Sequence, residues 1–208
     1  MKSGEKMEEM FPFWYGGGEP YDELCEEFQD VIRAVGQGDL GNNEAEWQKS
    51  VDGKMAQLLL CDQLSRNAFR GKEEAFAYDD TAVDIAKELS KGLMEVKSEK
   101  SELAIPNLSG DCYLPYLQFI ISPLMHSETP EDHELAMEVA DYSVELAPSH
   151  LKEAFQRTRA LEIEHKEVID TFGRYPHRNN KRGRASTPEE LQWLANEDEL
   201  PGWAKSQG

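Results

Sequence analysis

The stretch from Trp47 to Phe69, WQKSVDGKMAQLLLCDQLSRNAF, decides how the chain is read. At 100° per residue, Met55, Leu58, Leu59 and Phe69 fall on one face of a helix. Asp62, Arg66 and Arg70 fall on that same face, while Leu60 and Leu64 point the other way. A helix that is apolar nearly all round is a buried one. The stretch therefore predicts a long buried helix that carries charges into the interior. Asp62 and Arg66 are four residues apart, as are Arg66 and Arg70, so these groups are neighbours. Buried charges must be paired or must bind something. One acid among two arginines leaves a surplus of positive charge. An acid from elsewhere or an anionic ligand must balance it, and both readings stay open at this point.

Helical periodicity continues on either side. Tyr21 to Val35 places Leu24, Phe28, Val31 and Ile32 on one face and ends in Gly36-Gln37-Gly38. Glu73 to Leu93 reads as another helix. Lys97 to Gly110 is polar and reads as a loop. Cys112 to Met125 is apolar but holds Pro115 and Pro123, so short helical pieces are expected there. Thr129-Pro130-Glu131-Asp132 has the marks of a helix start, with a cap, proline at the first position and acids in the first turn. That helix runs to about Leu146. Pro148-Ser149 breaks it and caps the next, from Leu151 to Phe172. Thr187-Pro188-Glu189-Glu190 is a capping box that opens a last short helix to about Ala195. Strand alternation is nowhere sustained. The reading is all-α, a single domain of about seven helices over 11–196, with a flexible N-terminus over 1–10 and a tail over 197–208.

Composition bounds the function. The 208 residues carry 22 Lys and Arg against 41 Asp and Glu, a formal net charge of -19. Such an acidic chain is not expected to bind nucleic acid, whose partners carry basic surfaces, or an anionic membrane. No apolar run approaches the length of a membrane span. Met1 to Met10 lacks the basic start, apolar stretch and cleavage site of a secretory signal. Cys25, Cys61 and Cys112 are odd in number and form no CxxC pair, which points to reduced thiols and a cytoplasmic location.

Polar residues on apolar faces recur downstream. In Leu151 to Phe172, Glu162 and His165 share a face with Phe155, Thr158, Leu161, Ile169 and Phe172. A hydrogen-bonded core histidine is the plain reading of His165. The Glu162-x-x-His165 spacing also occurs in di-iron bundles, but the chain has no second copy. Gly173 to Arg184 holds Arg174, Arg178, Lys181, Arg182 and Arg184 with His177 and no acid. In so acidic a protein, this is a counter-charge for acidic helices or an anion site, since arginine offers forked donors to carboxylate and phosphate. His126-Ser127-Glu128 puts histidine, hydroxyl and carboxylate in a row, but adjacent side chains seldom meet, so it is no triad. His133 and His150 read as surface residues. Trp14, Trp47, Trp193 and Trp203 read as packing residues.

Several of these stretches resemble one family. Leu60 to Gly71 is similar to its LLDQFPRNxFRG motif. Pro123 with Leu124-Met125-His126-Ser127-Glu128 is similar to PxxHSE. His165 followed by Phe172 to Asn179 is similar to its histidine and FGRFPHRN. Gly183-Arg184, Ser186-Thr187 and Glu190 follow as in LGRxSTxEE, and Phe13-Trp14-Tyr15 resembles FWF. The family is the bacterial domain-of-unknown-function family 924, and the likeness runs from about Phe11 to Leu194. It implies an all-helical, TPR-like antiparallel array and assigns no activity. Departures are Cys61, Ser65, Arg182 and His133, where the family pattern has leucine, proline, leucine and glutamine.

The resemblance gathers the polar residues singled out above into one expected site. His126, His165 and His177 are the candidate proton-transfer groups. Asp62, Arg66, Asn67, Arg70, Glu128, Arg174, Arg178, Asn179 and Arg184 are the candidate ligand-binding groups. The expected ligand is a small anionic molecule, with hydrolase and transferase chemistry equally open. The rival reading is a TPR-like module that binds a protein or peptide, with the same cluster as a structural clasp. A third has His126, His165 and His177 holding zinc or iron with Glu128. No cofactor or metal is expected on the first two.

Overall fold

The computed structural model describes residues 19–96, 110–196, 198 and 200–206. The Phe13-Trp14-Tyr15 motif and most of the stretch read as a loop over 97–110 lie outside them. The described residues are helical throughout, with no strand among them. The helices are α1 (Glu19–Glu26), α2 (Gln29–Gly36), α3 (Glu44–Lys49), α4 (Val51–Leu59), α5 (Ser65–Ala68), α6 (Asp79–Val96), α7 (Gly110–His126), α8 (Pro130–Leu146), α9 (Lys152–Phe172), α10 (Pro188–Ala195) and α11 (Gly202–Ser206).

The stretch that opened the reading is buried as expected but is not one helix. Ser50 is extended, and its side chain accepts a hydrogen bond from the Gly53 amide at 3.0 Å, capping α4. Leu60–Leu64 then winds as a π turn before α5. Such turns insert one residue into a helix and often occur at functional sites. Here the turn carries Asp62 and Gln63, both buried.

Tyr21 to Val35 also divides, at Glu27 and Phe28. Its inward side is Cys25, Ile32 and Val35, whereas Leu24, Phe28 and Val31 are exposed. The predicted face was therefore turned by about one position. Gly36 closes α2 against Tyr78, where an added Cβ would lie 2.1 Å from the ring. The expected fragments around Pro115 and Pro123 are instead one helix, α7, which contains both prolines. Leu117, Ile120, Ile121 and Leu124 are fully buried along it. Burying each is worth roughly 1.5–3 kcal/mol, enough to outweigh the roughly 3 kcal/mol that an interior proline costs.

The main core joins α4, α6, α7, α8 and the start of α9, through Met55, Leu58, Ala86, Leu117, Ile120, Val139 and Phe155. A second cluster packs α1, α2 and the π turn around Phe69 and Phe76. A third sets Val168, Ile169 and Tyr175 against Phe172, Trp193 and Trp203. The Thr187 capping box is formed, with Glu190 completing it. Gly173 ends α9 in the left-handed conformation, φ 67°. The chain then turns back across the molecule, bringing residues 175–184 over the π turn and the start of α6.

Candidate functional site

Asp62 and Asp79 are the two carboxylates around which the site is built. Both are buried. Arg66 donates from Nη2 to Asp62 Oδ1 at 3.2 Å and to Asp79 Oδ1 at 2.9 Å. Arg178 reaches Asp79 Oδ2 at 3.4 Å and donates to the His126 carbonyl at 2.8 Å. Arg182 donates to Asp79 Oδ2 at 3.0 Å. With Asp22, which takes Arg70 at 2.7 Å, Asp79 is thus an acid from elsewhere that the surplus around Arg66 and Arg70 required. It stands in the first turn of α6, where an acid reads as ordinary helix-start chemistry, so nothing in the sequence marked it. Three arginines meet two carboxylates, and the cluster keeps one net positive charge.

His126 lies against Asp62, with Nδ1 2.6 Å from Oδ1. Burial disfavours ionised Asp62, yet His126 and Arg66 hold its carboxyl well below the usual range. An ionised carboxylate only accepts, so Nδ1 carries the proton and Nε2 the lone pair. Nε2 has no hydrogen-bond partner among the described residues, and the side chain is 20% exposed. Burial, then the charge of Arg66, pushes the His126 pKa down, so the ring is neutral at pH 7. Gln63 donates to Asp62 Oδ2 and to the Ser122 hydroxyl, the latter at 2.6 Å, fixing the carboxylate between α7 and the π turn.

His126 opens onto a cleft of about 390 Å³ between α6, the α7–α8 turn and the 176–182 segment. Asp79, Asp80, Asp84, Glu128 and Asp132 line it, as do Lys87, Arg178 and Arg182. Glu128 is held by Arg184 at 2.6 and 2.9 Å and accepts from the Tyr175 amide at 3.0 Å. Burial opposes its ionisation, but the Arg184 contact keeps its pKa low.

With this geometry in view, the chain matches the family described as bacterial protein of unknown function (DUF924) over residues 3–198. The chain belongs to that family. A solved structure of a protein of unknown function, ATU0120 from Agrobacterium tumefaciens, is similar to this DUF924 chain with a TM-score of 0.63. They share 23% sequence identity, over 93% of this chain and 99% of that one. At that identity the likeness is one of fold alone. No curated protein matches the chain.

Not all the DUF924 motif residues converge. Asp62, Arg66, His126 and Arg178 touch directly, with Glu128 and Arg184 beside them. Asn67 and Arg70 point away. Arg70 donates to Asp22 at 2.7 Å and to Asn67 at 2.6 Å, tying α5 to α1. Arg174 grips Glu190 at 2.6 and 2.8 Å, and Asn179 donates to Glu190 and Ser186, each at 3.1 Å. These two tie the loop after α9 to the capping box of α10.

His165 and His177 lie beneath α11. Trp203 stacks on His165 with ring centroids 3.9 Å apart, and its ring lies 5.5 Å from that of His177. His165 Nδ1 donates to the Leu161 carbonyl at 2.7 Å. Burial lowers both histidines, His165 well below its usual value and His177 to about 2. The His177 Nδ1 is buried without a partner among the described residues. Among those residues no three His, Cys, Asp or Glu are placed to hold a metal ion, and Glu128 is already taken up by Arg184.

His133 is not on the surface. It is fully buried, with Nδ1 2.8 Å from Glu162 Oε1 and Nε2 2.9 Å from the Ser127 carbonyl. The carbonyl only accepts, so Nε2 donates to it, and Nδ1 faces the Glu162 carboxyl. Tyr175 donates its hydroxyl to the Met125 carbonyl at 2.5 Å, locking the same turn. His150 is exposed, as expected.

Proposed function

We propose that the cleft beside His126 binds a small molecule carrying an anionic group, and that His126 exchanges a proton with it. The observation that carries this is the His126–Asp62 pair. A neutral imidazole oriented by a buried carboxylate, with its Nε2 unbonded beside a cleft, is the arrangement of a general base. Arg178 and Arg182 supply the forked donors that an anionic head group needs. His165 and His177, shielded by Trp203, act on this reading as supports for the 175–184 segment. Hydrolase and transferase chemistry remain equally compatible with one base and an anion-holding pair.

A second reading is favoured by one specific observation: every arginine of the cluster already has a carboxylate partner. On that reading the cluster is a clasp in a TPR-like helical array, and the partner is a protein or peptide. A thermal-shift screen of the untagged protein separates the two, using phosphates, carboxylates, nucleotides, amino acids and divalent metals. A ligand at 100 times its Kd adds about 2.7 kcal/mol of apparent stability. Arg178 is too deeply buried for a clean test, so Arg182→Ala is the variant of choice. A hit lost in R182A, with the apo Tm nearly unchanged, supports the ligand site. An empty panel, or a large apo Tm loss with binding intact, supports the clasp.

A further inference from the structure

α11 is five residues long, and rings hold it to the molecule. Trp203 stacks on His165 with centroids 3.9 Å apart, and meets Tyr175 and His177 edge to face at 5.7 and 5.5 Å. Trp203 itself is half-buried, and Ala204 beside it is buried. The backbone bonds at the start of the helix are local, from Ala204 and Lys205 to the Pro201 carbonyl. α9 meets α11 through His165, and no described helix packs along its length. What lies beneath is not an ordinary core. His177 is buried, and its Nδ1 has no hydrogen-bond partner among the described residues. His165 is bonded through Nδ1 to Leu161, and its Nε2 has no partner among those residues. Ring nitrogens shut away without partners forfeit the water they would bind in the open. The closed position of α11 therefore carries a cost that offsets part of its ring packing.

We propose that α11 is a displaceable lid, latched by the Trp203 ring over His165 and His177. Closed, it shields both imidazoles. Open, it lets them reach solvent and gain the hydrogen bonds they lack. The lid bears on the cleft. His165 lies against His126, with ring centroids 6.4 Å apart. Tyr175 and His177 begin the segment that brings Arg178 and Arg182 to Asp79. Opening removes the Trp203 ring from Tyr175 and His177, and so strips packing from that segment. The device does not depend on what the cleft binds.

The test is light labelling of the full chain with diethyl pyrocarbonate, read site by site by mass spectrometry. The reagent acylates neutral imidazole, and at a covered ring its rate follows how often the cover opens. Exposed His150 and fully buried His133 set the two limits. His165 and His177 are expected to react faster than His133. Trp203→Ala is expected to speed both at least about tenfold, the factor that about 1.4 kcal/mol of lost latching gives. His133 and the urea midpoint should change little, because losing a lid costs no more than its own closing energy. His165 and His177 as slow as His133 in both the native protein and W203A overturn the lid. So does a W203A protein that fails to fold, loses much of its urea midpoint or exposes His133 as well, since α11 is then part of the core. Hydrogen exchange on the unaltered chain gives a second reading. The α11 amides are expected to exchange by an opening that urea hardly promotes. Exchange of α11 only together with α9 overturns the lid.

Discussion

Asp79 receives Arg66, Arg178 and Arg182 on its two oxygens. Removing the buried carboxylate on which the arginines meet leaves them without its charge, at a cost of roughly 3–5 kcal/mol. Asp79→Asn is expected to lose about that much in urea denaturation, whereas Asp80→Asn, one residue on and exposed, changes stability little. Equal effects from the two would mean that Asp79 is not the hub of the cluster. Asp62 does a different job at the same scale. It fixes the proton on His126 Nδ1, and Asp62→Asn offers an amide that can donate to that nitrogen instead. On the proposed function this variant is expected to lose turnover by orders of magnitude while retaining the ligand, read as a fall in kcat with KM little changed.

Elements carry the geometry that brings such residues together. Gly36 is required where α2 meets Tyr78, since a methyl group there would lie 2.1 Å from a ring carbon. Gly36→Ala is expected to cost about 1–3 kcal/mol by overpacking, read from the denaturation midpoint. Helix ends were legible in the sequence because their signals are local: Thr129-Pro130 and the Thr187 capping box start α8 and α10 where expected. The charged face of Asp62 and Arg66 was legible too, because burying charge leaves a trace in periodicity. Tertiary decisions were not. The π turn at Leu60–Leu64 and the unbroken α7 follow from burial against neighbours, which no local rule encodes. His133 read as surface because its partner, Glu162, lies 29 residues away on another helix. Asn67 and Arg70 share a motif with Asp62 but diverge from it after the π turn.

For the whole molecule, acid is expected to weaken the fold. His126, His165 and His177 are all held neutral, chiefly by burial, with His177 lowered to about 2. In the unfolded chain a histidine takes up its proton near pH ~6.5. Below that pH the unfolded state binds more protons than the native one, so stability falls as pH falls. A group that is protonated in the unfolded chain and neutral in the native one contributes a slope of up to about 1.4 kcal/mol per pH unit. For His177 that loss continues down toward its native value of about 2. Urea midpoints between about pH 7 and pH 5 are expected to drop steeply, and His177→Gln to make the drop shallower. A flat profile in the native protein would contradict the burial of these rings.

The Asp79 cluster also bears on the order in which the chain is made. Two of its three arginines lie 99 and 103 residues after the carboxylate they neutralise. A ribosome that has released α1 to α9 has therefore produced helices in which Asp79 has only Arg66 of its three arginines. The segment over 175–184 supplies the other two arginines. Completion of the cluster then waits on the emergence of that segment, and a nascent chain stalled before Arg178 should remain open to protease.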